Sequence, residues 1–236
     1  MRLHNFFIEH PIGNATSISV EDTDLIHQWL KVFRMKTGDR VVLLDNSGSE
    51  YECEITMLSH DSARCTVVEK RQNKNILSKD VWLFQSLVKK DTFEWVAEKA
   101  TELGVTHIVP IVSERSEKKD INVDRLKKII REASEQSFRG TLPILHPVQN
   151  LEVTLSDVTA ASEIKRIALH TAGPAFLHES MKSNKLAFFI GPEGGWTESE
   201  INLFSTHEVP VYSLGAQVLR SETAAIAALS LALLSS

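Results

Sequence analysis

Two glycine-bearing segments carry residue types suited to a small ligand with positive charge. The first, Ile190 to Trp196, reads IGPEGGW and stands between a buried strand pattern and a helix pattern. Ligands of open α/β sheets bind beyond the carboxyl ends of the strands. Gly191, Gly194 and Gly195 permit positive φ and close backbone approach, Pro192 stiffens the turn, and Glu193 adds a carboxylate. A carboxylate makes a poor phosphate cradle but suits a sulfonium or an amino group. The segment matches neither G-x-G-x-x-G nor a Walker loop, so a dinucleotide site and a P-loop are both unsupported. Alone, it reads equally as a tight strand–helix turn without a ligand.

The second segment, Leu214 to Thr223 (LGAQVLRSET), repeats the arrangement of strand, glycine-bearing loop and helix. Two such loops at adjacent strand ends can enclose one ligand between them. Arg220 and Glu222 stand at the mouth of an otherwise apolar stretch. Arg220 suits either a developing anion or a helix-start salt bridge with Glu222.

Positioning these loops requires a mostly parallel sheet covered on both faces, and the pattern from Val81 onward supplies one. Val81–Val88, Val105–Val112, Arg166–His170, Leu186–Ile190 and Val209–Leu214 read as strands. Between them, Asp91 and Glu94 form a D-x-x-E capping box before a helix ending at Gly104. Val123–Phe138 is a helix with Leu126, Ile129, Ile130 and Ala133 on one face, and Thr197 with Glu200 forms a second capping box. Ser221 opens a terminal helix whose apolar run, Ala224–Leu234, is too short for a bilayer, which needs about 20 residues. Residues 1–72 read as a separate small β-rich unit, with strands at Arg40–Asp45, Tyr51–Met57 and Ala63–Glu69. That unit also has a turn at Asn46–Gly48 and helical spacing over Thr23–Phe33. Lys70–Asn75 (KRQNKN) is the linker candidate, leaving 73–236 as the second domain.

With 236 residues, 42% hydrophobic and 24% charged, the chain needs no metal or disulfide staple. Cys53 and Cys65 fall in strand-like stretches without ligand spacing, so no metal is expected and a reducing, cytoplasmic setting is. The first ten residues carry no signal-peptide pattern. A net charge of -5 excludes a protein that coats nucleic acid by charge alone. A local basic patch, from Arg115 to Arg139 with Lys118, Lys119, Arg125, Lys127, Lys128 and Arg131, reads first as a solvated helix face.

Together IGPEGGWTESEI and LGAQVLRSETAAIAAL resemble the C-terminal signatures of SPOUT methyltransferases, and within them the RsmE family of 16S ribosomal RNA uridine N3-methyltransferases. FRMKTGDRVVLLD is similar to that family's N-terminal PUA-like domain. KKDTFEWVAEKATELGVTHIVPIVSERS and REASEQSFRGTLPIL are similar to its catalytic domain. The resemblance implies an α/β fold: a C-terminal SPOUT domain tied in a trefoil knot, plus a small β-rich PUA-like domain. It also implies a cytoplasmic homodimer that binds S-adenosylmethionine and acts on 16S rRNA or the small ribosomal subunit.

Three knot loops would hold the cofactor: Leu169, His170 and Thr171; Ile190, Gly191, Glu193, Gly194 and Gly195; and Leu214, Gly215, Val218 and Leu219. Arg220 would act on the base, while Glu193 and Glu222 are candidates for its proton. Arg34, Lys36, Lys89, Lys90, Arg115, Arg131 and Arg139 would meet phosphates, and Phe138 suits stacking on a base. A SPOUT enzyme acting at another RNA position, or a silent RNA-binding protein of the same fold, would share these motifs.

Overall fold

The computed structural model describes residues 3–75, 79–117, 119–158, 163–175 and 183–234. Lys118 of the basic patch lies outside them. The chain forms two compact units, Met1–Ile76 with Ser134–Leu142 and Leu77–Ala133 with Pro143–Ser236. Ser134–Leu142, assigned by sequence to the C-terminal domain, thus groups with the N-terminal unit.

In the N-terminal unit, β1 (Asn5–Phe7), β2 (Ser17–Val20), β3 (Arg40–Leu44), β4 (Ser49–Leu58) and β5 (Ala63–Gln72) form one sheet. Its order is β1-β3-β4-β5-β2. Alternation sends Val41, Leu43, Tyr51, Cys53 and Ile55 into one core and Val42 and Leu44 to the other face. Helix α1 (Thr23–His27) starts where the Asp22 side chain accepts from the amides of Asp24 and Leu25. It runs into a π-helical turn, Gln28–Val32, which buries Trp29 against Phe6.

The Lys70–Asn75 linker is corrected. Lys70–Gln72 complete β5, Arg71 pairs with Glu50 at 2.6 Å, and buried Asn73 donates to Glu50 at 2.7 Å. The outer face of that strand end is wholly polar, which is why it reads as solvated chain.

The C-terminal unit contains β6 (Asp80–Ser86), α2 (Lys90–Leu103), β7 (His107–Val112), α3 (Val123–Gln136), β8 (Ile144–Leu145) and β9 (Gln149–Asn150). There follow α4 (Leu151–Val158), β10 (Lys165–Leu169), β11 (Lys185–Ile190), α5 (Glu198–Thr206), β12 (Val211–Tyr212) and α6 (Ser221–Leu233). The last turn of α3, from Ser134, belongs to the N-terminal unit. The sheet order is β12-β10-β11-β6-β7-β8, with β9 also on β7, and every pair is parallel.

Neighbouring residues serve opposite faces. Leu83 and Phe188 pack with α2 and α6, whereas Phe84 and Phe189 pack with α4 and α5. Each buried phenylalanine contributes about 1.5–3 kcal/mol of apolar burial, so the strands are held from both sides.

Gly104 ends α2 in the left-handed conformation, φ 108°. The capping box expected at Asp91–Glu94 does not form. Lys89 is the N-cap without a side-chain bond, and Glu94 instead accepts from Arg125 Nε at 2.7 and 2.8 Å. The helix starts at Lys90, so Asp91 stands inside its first turn and not at the N-cap. At α5 the box is complete: Thr197 accepts from the Glu200 amide, and Glu200 accepts from the Thr197 amide.

Candidate active site

Leu169, the last residue of β10, pairs with Ile190 on one side and Tyr212 on the other. The loops after β10, β11 and β12 therefore leave one sheet edge side by side. Between them lies a cavity of about 250 Å³. Its wall includes Leu169, His170, Thr171, Ile190, Gly191, Glu193, Gly194, Gly195, Leu214, Val218 and Leu219, all expected from sequence. Of the expected set, Gly215 and Arg220 do not line it. Gly215 is exposed at φ 150°, and Arg220 is the exposed N-cap of α6, between the lining residues Leu219 and Ser221.

The loops are braced by bonds that join distant parts of the unit. Trp196 Nε1 donates to the Leu169 carbonyl at 3.0 Å, tying the second loop to the first. The His170 amide donates to the Tyr212 carbonyl at 2.9 Å, and the Ser213 amide donates to the Pro174 carbonyl at 2.8 Å. Within the second loop the Gly195 amide closes a turn onto the Pro192 carbonyl at 2.9 Å, with Gly195 at φ 69°. Ser221 Oγ donates to the Gly191 carbonyl at 2.6 Å.

The strand-end segment after β7 clamps the same loop. Arg115 Nη1 donates to the Gly194 carbonyl at 2.7 Å, and its aliphatic stem lies where a Gly194 Cβ would come within 3.3 Å. Glu200, buried at the start of α5, accepts the Glu114 amide at 2.8 Å. Thr197 Oγ1 donates to the Glu114 carboxylate at 2.8 Å. Sequence reasoning named neither Trp196 as a brace nor Glu114, Gln85 or Ser221. Of these, Trp196 and Ser221 lie inside the two glycine-bearing motifs, where a hydrogen-bonding residue next to a glycine turn is a local signal, and Glu114 lies in the VTHIVPIVSERS segment.

The structure assigns different surroundings to the expected phosphate ligands. Arg34, Lys36, Lys89, Lys90 and Arg115 are exposed, Arg34 with φ 54° and Lys36 with its amide on the Asp39 carboxylate at 2.7 Å. Arg131 is half-buried on α3. Arg139 departs from expectation: it is 4% exposed and its Nε donates to the Thr141 carbonyl at 3.0 Å. Burial pushes its guanidinium down to about 10. Phe138 is half-buried at φ 59°. Among the described residues, no cluster of three or more His, Cys, Asp or Glu side chains could hold a metal, and no helix is long and apolar enough to cross a membrane.

Residues 75–233 match the model of the RNA methyltransferase domain, and residues 30–68 match the RNA methyltransferase PUA domain. Among curated proteins, the ribosomal RNA small subunit methyltransferase E of Bacillus subtilis is 31% identical, covering 97% of this chain and 95% of its own. That of Synechocystis is 33% identical over 88% of this chain and 70% of its own. Among solved structures, the ribosomal RNA small subunit methyltransferase E of Neisseria gonorrhoeae, bound to S-adenosyl methionine, superposes with TM-score 0.89. It is 26% identical and covers 97% of this chain and 96% of that one. A Legionella pneumophila protein in complex with the bound cofactor SAM gives TM-score 0.90 at 26% identity, covering 100% and 98%.

Proposed function

The chain belongs to the ribosomal RNA small subunit methyltransferase E family of RNA methyltransferases, and we propose that it transfers a methyl group from S-adenosylmethionine to N3 of a uridine in 16S rRNA. The observation that carries this reading is the convergence of three loops, from β10, β11 and β12, on one cavity.

The donor set fits the cofactor. Gly191, Gly194 and Gly195 leave main chain as much of the wall, giving amides and carbonyls for the polar edges of an adenine and an amino acid. Leu169, Ile190, Leu214, Leu219 and Ala224 supply an apolar surface for the purine, and Glu193 supplies negative charge for a sulfonium or ammonium. Bound there, S-adenosylmethionine supplies an electrophilic methyl group carried on sulfur.

The protein's own residues must make the acceptor reactive. Uridine N3 is a poor nucleophile until its proton leaves. Arg220, at the cavity rim with its guanidinium in solvent, would donate to the uracil carbonyl oxygens and stabilise the charge that deprotonation leaves there. Glu193, in the cavity wall, and Glu222, in the first turn of α6, are the candidate carboxylates to take the proton. His170 is not: its Nδ1 accepts the Ala172 amide at 3.2 Å, so the neutral ring carries its proton on Nε2 and acts as a donor.

Arg34, Lys36, Lys89, Lys90 and Arg115, all exposed, would contact RNA phosphates. We read the enzyme as a cytoplasmic homodimer with a trefoil-knotted C-terminal domain, acting on 16S rRNA or the small subunit.

Calorimetric titration with S-adenosylmethionine tests the cofactor assignment. Saturable binding by the wild type, abolished in Gly191→Val, supports it. A folded wild type that takes up no cofactor contradicts it.

A further inference from the structure

The end of β6 contributes a buried side chain that is not itself part of the cavity wall yet connects to two of its loops. Gln85 is fully buried, and its Nε2 donates to Ser221 Oγ at 2.9 Å and to the Ser86 carbonyl at 3.0 Å. Ser221 Oγ in turn donates to the Gly191 carbonyl at 2.6 Å. We infer that Gln85 is a positioning residue for the cofactor loop, acting through Ser221 on the Gly191–Pro192 peptide. The inference rests on the reading of the cavity as an S-adenosylmethionine site.

A serine hydroxyl has one proton to give. With Gln85 donating to the oxygen, that proton is committed to the Gly191 carbonyl, and each bond in the chain N–H···O–H···O=C polarises the next. Gly191 precedes Pro192, so the plane of this peptide sets the start of the turn that Gly195 closes onto Pro192. Ser221 also opens α6 and lines the cavity. One relay thus fixes the end of β6, the second loop and the exit of the third.

The arrangement carries a cost that packing does not require. Among the described residues, Gln85 Oε1 is buried without a partner, as is the hydroxyl of adjacent Ser86. A buried, unpaired amide oxygen destabilises a fold, and an apolar side chain of the same length would fill the position without that penalty. Uncompensated polar groups of this kind concentrate where geometry serves function.

The experiment measures S-adenosylmethionine affinity and the thermal midpoint of the unliganded protein for wild type, Gln85→Met, Ser221→Ala and the double variant. The relay predicts a rise in Kd of about tenfold in each single variant, the scale of one lost hydrogen bond. The double variant should weaken no further, because both changes break one chain. The midpoint of Gln85→Met should stay close to that of wild type, since the loss of the amide's bonds is offset by removal of the unpaired oxygen. A lower midpoint with unchanged Kd would mean that Gln85 only packs, and would overturn the inference. Should Gln85→Met not fold, Ser221→Ala carries the test: an affinity within about twofold of wild type overturns it. Wild type that binds no cofactor overturns the cofactor reading itself, whereas binding wild type with unaffected variants overturns the relay alone.

Discussion

The indole of Trp196 donates to the carbonyl oxygen of Leu169 at 3.0 Å while its ring packs edge-on against Phe204, with centroids 5.0 Å apart. A side chain of the second loop therefore satisfies the last backbone acceptor of β10 and fixes where the first loop begins. Trp196→Phe keeps the ring contact and removes the bond, leaving a buried carbonyl unpaired. We expect a loss of about 1–3 kcal/mol in urea unfolding and weaker cofactor binding. Unchanged unfolding would show that water replaces the indole at no cost.

The three glycines of the second loop should respond unequally to alanine. At Gly191 a Cβ comes within 3.2–3.3 Å of the Trp196 ring, which its own bond and Phe204 hold in place. At Gly194 the neighbour is the exposed, flexible stem of Arg115 at 3.3 Å, which can move aside. Gly195 sits at φ 69°, where a side chain costs on the order of 1–2 kcal/mol. Gly191→Ala should thus weaken cofactor binding more than Gly194→Ala, and Gly195→Ala should lower the melting temperature by roughly 2–8 °C. Titration calorimetry and melting curves on the three variants check the order. A reversed order for Gly191 and Gly194 would place the ligand against Arg115 instead.

Arg220 stands outside the cavity wall, so its role separates from cofactor binding. Arg220→Ala should leave S-adenosylmethionine affinity near wild type and reduce kcat by about 10²–10³-fold, the scale for one lost electrostatic donor. Arg220→Lys keeps the charge without the forked geometry and should recover only part of the rate. Steady-state methylation kinetics with RNA as the varied substrate test this. An intact kcat in Arg220→Ala would remove it from the chemistry.

How much of this was legible in the sequence follows from the range of the interactions. The two glycine loops and the Thr197–Glu200 box are local patterns, and the structure forms them where the residues stand. The Gln85–Ser221 bond spans 136 positions; no periodicity announces such a partner. The box read at Asp91–Glu94 fails because the helix starts at Lys90, and the Glu94 carboxylate pairs with Arg125, far along the chain. Strands β1 and β2 are only three and four residues long, too short to show alternation. Arg139 reads as a surface cation in a basic stretch, yet it is buried in a segment that groups with the N-terminal unit, a placement that local sequence does not announce.

At the opposite end of the sheet, His107 stacks on Trp82 with centroids 3.6 Å apart and shares a 2.9 Å contact with His146. Burial pushes the His107 imidazole down to about 4, against an opposing pull from Asp80 and with a further push from His146. An unfolded histidine takes its proton near pH 6.5. The unfolded chain therefore binds the proton first as pH falls, and stability declines from about pH 6.5 to about pH 4, then levels. At about 1.4 kcal/mol per pH unit, the expected loss by pH 5.0 is on the order of 2 kcal/mol. Urea midpoints at pH 7.5 and pH 5.0 should differ for wild type and differ less for His107→Phe, which keeps the stack. Equal pH sensitivity in both would assign the effect to other groups.

The most direct measurement is methyl transfer from isotopically labelled S-adenosylmethionine to 16S rRNA, as free RNA and in small subunits, with the product nucleoside identified by mass spectrometry. Label should appear in N3-methyluridine at one position, with an initial rate about 10²–10³-fold lower for Arg220→Ala. Label in another nucleoside, or cofactor binding without any transfer, would contradict the proposed function.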